Sequence, residues 1–176
     1  SSDLRTVAFG KPGMRIDLGG IAKGYAVDRG IEILKRRGYT HAMVNSGGDT
    51  RVLGDRMGKP WMVGIRHPDR KDEVVLRIPL EDAAFSTSGD YERFFDEGGV
   101  RYHHIINPKT GDSPHEVRSV TLISTSATRT DGLTKTVFIL GPVEGMKFID
   151  SLPDVDGIII AADGKVTYSK DLQPPQ

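Results

Sequence analysis

Residues 16–28, IDLGGIAKGYAVD, place a glycine pair, a lysine and two carboxylates around the start of one helix, and no other part of the chain restricts its folding so closely. Ile21, Ala22, Tyr25, Ala26, Ile31 and Leu34 recur at helical spacing, and Gly38 after Lys35-Arg36-Arg37 is a stop signal. Backbone N–H groups in the first turn of such a helix lack intrahelical partners and carry about half a positive charge, so a phosphate or pyrophosphate can be held there. Gly19 and Gly20 let the backbone come close, and Lys23 adds a point charge. The same glycines also suit a bend that packs a helix on a strand, and this segment alone does not choose between the two.

Composition narrows the partners. The 176 residues suffice for one domain with a real core or for the larger part of a two-lobed protein. Lysine plus arginine equals aspartate plus glutamate at 24 each, which argues against nucleic acid. With no cysteine there are no disulfides, thiol nucleophiles or zinc–thiolate sites, and the compartment is left open. The first residue is not methionine, so a processed or truncated N-terminus is expected, and residues 171–176, ending Gln173-Pro174-Pro175-Gln176, read as a tail. Without repeats or a linker, residues 1–176 read as a single domain.

After the first helix, residues 42–44 read as a short strand entering a loop over 45–49, and strands are expected over 50–53, 61–65, 74–80, 83–87, 100–106 and 117–124. Leu133, Val137 and Leu140 share a helical face over 130–140, where Gly141-Pro142 stops the helix, and a further helix follows over 143–152. Strands over 157–161 and 165–168 with an Asp163-Gly164 turn form a terminal hairpin of type I′. The class is α+β, a mainly antiparallel sheet packed with a few helices.

Four polar clusters sit at element ends: 45–49, 86–91, 103–110 and 130–134. Each taken singly is explained by turns and caps. Asp131 at a helix start suits an N-cap or a ligand for a hard cation such as magnesium. His103 and His104 are adjacent on an expected strand and point to opposite faces, which argues against a shared metal and leaves one of them as a general base or an ordinary half-buried ring.

Together, IDLGGIAKGYAVD, VNSGGDTRVLG, STSGDYERFF, RYHHIINPKTG and TDGLTKTVFILG resemble, in order and across nearly the whole chain, the motifs of the ApbE family of FAD:protein FMN transferases. The resemblance implies an ApbE-like core and transfer of FMN from FAD to a threonine or serine hydroxyl of a target protein, with AMP released. Storage of FAD, or its hydrolysis to FMN and AMP, is the alternative. It implies magnesium held by the Ala22 carbonyl, the Asp131 carboxylate and Thr134. Gly20, Lys23 and Asp28 would lie near the ribose and pyrophosphate, and Ser88, Gly89, His104 and Ile105 at the flavin nucleotide, with Asp131 and the candidate base His104 as catalytic residues. The acceptor is expected to be a membrane-associated redox protein on the periplasmic side, reached through an N-terminal lipid anchor not contained in this chain.

Two departures matter. Family members commonly carry threonine four residues after the aspartate matching Asp131, whereas this chain has Lys135, so weaker magnesium binding is expected. The family's N-terminal segment, which supplies part of the flavin pocket, is also not matched here. Weak FAD binding and exposed apolar surface able to support a homodimer are the expected consequences.

Overall fold

Helix α1 (Ala22–Arg36) is the first element of the protein in a computed structural model, which describes residues 6–68, 70 and 73–172. The first five residues of the N-terminal lead and Gln173-Pro174-Pro175-Gln176 of the expected tail lie outside the described residues. The helix stops as its sequence predicts, with Lys35 and Arg36 in the last turn and Gly38 at φ 84°. Its inward face differs from the expected stripe. Gly24, Val27, Asp28 and Ile31 are buried, whereas Tyr25 is 58% exposed.

The chain continues through β1 (Ala42–Ser46), β2 (Asp49–Leu53), β3 (Trp61–Arg66), β4 (Val74–Leu80), β5 (Ala84–Gly89), β6 (Phe94–Glu97), β7 (Val100–His103) and β8 (Val117–Ser124). Then come α2 (Ala127–Asp150), β9 (Asp156–Ala161) and β10 (Val166–Tyr168). Six strands form one sheet in the order β1-β2-β5-β8-β9-β10, every neighbouring pair antiparallel. The pairs β3–β4 and β6–β7 are separate ribbons, and the α+β expectation holds.

The sheet has two apolar faces. Val120, Leu122 and Ile159 pack under Val137, Phe138 and Ile149 of α2, and Val27 of α1 meets Ala84 and Ala127. On the other face Val52 and Ile158 cluster with Val63, Ile65, Leu76, Ile78 and Leu80 of the β3–β4 ribbon. Adjacent Ile158 and Ile159 thus serve different clusters, as the period of two along a strand requires. Phe138, Leu122 and Ile149 are fully buried, and burying such a side chain is worth about 1.5–3 kcal/mol.

Several expected boundaries move for local reasons. The loop expected over 45–49 shrinks to Gly47 and Gly48 at φ 55° and 96°, because Ser46 already pairs with Asp49 and two glycines at positive φ complete the hairpin. The strand expected over 100–106 ends at His103, whose N–H and carbonyl both bond the Ser113 hydroxyl, and its partner β6 was not foreseen. The terminal turn is not type I′: only Gly164 is at positive φ, 84°, following a turn closed by its N–H on the Ala161 carbonyl. The two helices expected over 130–152 form one element, broken at Gly141 with φ 80° and ψ 177° ahead of Pro142. It begins at Ala127 because the Ser126 side chain accepts from the Arg129 N–H as N-cap, so Asp131 does not cap its own helix.

Close approach of α1 and α2 dictates Gly24. A Cβ there would lie 2.2 Å from the Ala127 carbonyl oxygen and 2.8 Å from the Asp131 Cβ. Replacing glycine by alanine inside a helix ordinarily gains about 1 kcal/mol. At Gly24 we expect the opposite sign, a loss of about 2–4 kcal/mol in urea unfolding of Gly24→Ala, because the helices must separate.

Candidate functional site

The sequence motifs converge where the starts of α1 and α2 meet the β5 strand. Asp131, fully buried, accepts at Oδ2 from the Gly24 N–H of α1 at 3.0 Å, and the Lys135 ammonium contacts its Oδ1. Asp28 does the reverse. Its Oδ1 accepts from the Ala127 N–H of α2 at 2.9 Å and from Arg51 Nη1 at 2.8 Å. Its Oδ2 accepts from the Thr128 N–H and from the hydroxyls of Thr128 and Ser126. Each carboxylate therefore satisfies N–H groups in the first turn of the other helix, which have no partner of their own.

Hydroxyls tie α2 to β5. Ser86 Oγ lies 2.8 Å from Thr130 Oγ1, and Ser88 Oγ donates to Thr134 Oγ1 at 2.9 Å. The Thr134 hydroxyl in turn donates to the Asp131 carbonyl at 2.8 Å. Ser86 and Thr130 stand in two of the polar clusters at element ends, but their pairing across β5 and α2 is not among the expectations from sequence. The signal was present: hydroxyls two apart on a strand match hydroxyls four apart on a helix.

The other expected ligand residues sit as follows. Lys23 Nζ is 2.7 Å from Asp49 Oδ2 and 3.1 Å from the Gly47 carbonyl, so its charge is already paired. A Cβ at Gly20 would meet nothing within 4 Å, while at Gly89 it would fall 2.4 Å from the Tyr91 ring. Gly89 is thus demanded by packing. Ala22 is exposed in the first turn of α1.

The two histidines face different surroundings, as expected, although β7 ends at His103 and His104 lies in the bend that follows. His103 is buried edge-on to Phe138 at 5.3 Å. Its Nδ1 accepts from the Ile105 N–H at 3.4 Å, which leaves Nε2–H to donate to the Pro114 carbonyl at 2.9 Å. His104 is exposed beside it, while Ile105 is buried in the core under α2. Desolvation of the covered part of its ring lowers the His104 pKa, and the charges of Arg93 and Lys135 lower it further against an opposing backbone hydrogen bond at Arg93. The ring is therefore neutral at pH 7 and able to take a proton.

The expected magnesium ligands do not fit a divalent ion as they are arranged. Their oxygens are hard donors of the right class. Yet Lys135 Nζ contacts both Asp131 Oδ1 and, at 2.8 Å, the Asp131 carbonyl, and the Thr134 hydroxyl is engaged by Ser88. Among the described residues no group of three or more histidine, aspartate or glutamate side chains is placed to hold a metal.

A sequence model of the ApbE family matches residues 2–159. The FAD:protein FMN transferase of Treponema pallidum (strain Nichols) is 37% identical over 175 residues, covering 93% of this chain and 48% of that protein. That of Klebsiella pneumoniae (strain 342) is 33% identical over 166 residues, covering 93% and 51%. The crystal structure of the ApbE protein of Thermotoga maritima MSB8 superposes with a TM-score of 0.83 at 40% identity, over 91% of this chain and 53% of the other. The apo form of Pseudomonas stutzeri flavinyl transferase ApbE gives 0.77 at 31%, over 89% and 50%. The chain spans about half the length of these relatives.

Two titrations test the site. Burial raises the Asp28 pKa, but hydrogen bonds from Thr128, Ala127 and Ser126 outweigh it and hold the carboxyl below its usual range. A folded-state pKa below the unfolded one gives stability that is complete above about pH 4 and is lost as pH falls through the depressed value. Asp28→Asn should flatten that acid limb and cost roughly 2–3 kcal/mol at pH 7 in denaturant unfolding. For His104, NMR should show a midpoint below the ordinary value of about 6.5, moving upward in Lys135→Gln.

Proposed function

Because this chain belongs to the ApbE family, we propose that it carries the core of an FAD:protein FMN transferase, moving FMN from FAD to a serine or threonine hydroxyl of a target protein. The relatives' names support the reaction class. The observation in this chain that carries the reading is the convergence of the family's motifs at one place, where Asp131 of α2 bonds the Gly24 N–H of α1, holds the Lys135 ammonium, and lies one turn before Thr134, which bonds Ser88 of β5. Transfer of this kind is mostly positioning and charge stabilisation around a phosphorus centre.

In this reaction the acceptor oxygen bonds the phosphorus of the FMN half, the bridging P–O bond of the pyrophosphate breaks, and AMP leaves. His104 takes the hydroxyl proton. The α1 start, open at Gly20, receives the phosphates, and Lys135 faces the charge that develops on them. The ammonium contacts the Asp131 oxygens that would bind the magnesium implied by the family resemblance. The family resemblance further supports a membrane-associated acceptor on the periplasmic side, and recovery of the parent protein in the cytoplasmic fraction would overturn that placement.

The filled cation seat favours a second reading in which FAD is held without being cleaved. Incubation with FAD and an extract containing acceptor proteins separates the two. Transfer yields AMP together with flavin fluorescence that stays on protein through a denaturing gel, and His104→Ala should lower AMP release by about 10²–10⁴-fold. AMP with free FMN means that water replaced the hydroxyl, and intact bound FAD means a flavin holder.

A further inference from the structure

We infer that Lys135 is the resident cation of this site, contacting a phosphate of the bound flavin nucleotide itself and making that binding independent of divalent metal. The ammonium has three N–H donors, of which two go to the Asp131 carboxylate and carbonyl. Among the described residues it has no third acceptor, and the side chain is 26% exposed while Asp131 is fully buried. One N–H therefore remains for a ligand oxygen on the open side of the pair. The i,i+4 spacing on α2 holds the contact, and the Asp131 carbonyl is further fixed by the Thr134 hydroxyl.

A divalent ion cannot share this seat with the ammonium. It would need the Asp131 oxygens that Lys135 contacts, and two cations a few ångströms apart in a buried setting repel strongly. Displacing Lys135 would in turn remove the neutralising charge from its present partner. Lysine suits the task as a compact point charge with rotatable donors.

The inference rests on the flavin-nucleotide reading above, and the experiment separates the two. Binding of Mn²⁺, as a probe for Mg²⁺, is followed by electron paramagnetic resonance on the 176-residue chain and its Lys135→Thr and Lys135→Arg variants. FAD affinity is measured by calorimetry in EDTA and in excess magnesium. Lys135→Thr should gain Mn²⁺ binding that the parent lacks and lose about tenfold or more of its FAD affinity in EDTA. The parent should change less than about twofold between the two conditions, and Lys135→Arg should behave like it. Mn²⁺ binding by the parent as tight as by Lys135→Thr, or collapse of the parent's FAD affinity in EDTA, would overturn the inference. If Lys135→Thr does not fold, the parent and Lys135→Arg still decide it. If FAD binds no variant under either condition, the flavin-nucleotide reading fails and so does the phosphate contact, while the Mn²⁺ comparison still decides whether Lys135 fills the seat.

Discussion

Two carboxylates on opposite helices, Asp28 on α1 and Asp131 on α2, each close the first turn of the helix they do not belong to, and the site is built around that exchange. Two helix starts brought together bury unpartnered N–H groups and put like partial charges side by side. A carboxylate aimed at each cancels both costs. The exchange needs the helix backbones to touch, which is why Gly24 faces the Ala127 carbonyl with no room for a side chain. Arg51 from β2 then balances Asp28, and Lys135 balances Asp131, so neither carboxylate is left as an uncompensated buried charge.

This arrangement changes what the helix start can offer a ligand. The Gly24 N–H, which belongs to the first-turn donors expected to be open to a phosphate, is taken by Asp131, and Lys23 is held down on the Gly47–Gly48 turn by Asp49. What remains open is the approach at Gly20, the outer side of Lys135 and the ring of His104. The buried hydroxyl pairs between β5 and α2 keep the rest rigid. Each is satisfied, so they specify one alignment of helix on sheet without leaving a polar group stranded.

Much of the local structure was legible. The first helix and its stop at Gly38, the alternating strands of the β3–β4 ribbon and the break at Gly141-Pro142 all follow from short-range periodicity and backbone rules. The misreadings also have physical causes. Gly47 and Gly48 looked like part of a loop because a two-residue turn and a longer loop share the same composition. Tyr25 fitted the apolar stripe of α1, yet the buried face turned toward Gly24 because contact with α2 outweighs one aromatic side chain. β6 was hidden because its residues are exposed and carry no burial alternation.

The sequence by itself determined most of the element types, the α+β class, the ordered motifs that match the ApbE family, and the odd lysine four residues after Asp131, because each is written within a few neighbouring residues. Only the tertiary structure decided what those residues do to one another. Asp28 and Ala127, Gly24 and Asp131, and Ser88 and Thr134 are separated by 99, 107 and 46 positions. No local pattern encodes such pairings. They arise when the sheet aligns the two helix starts and every buried donor must find an acceptor, which made Asp28, expected near the ribose and pyrophosphate, a cap of α2 and seated the Lys135 ammonium on Asp131.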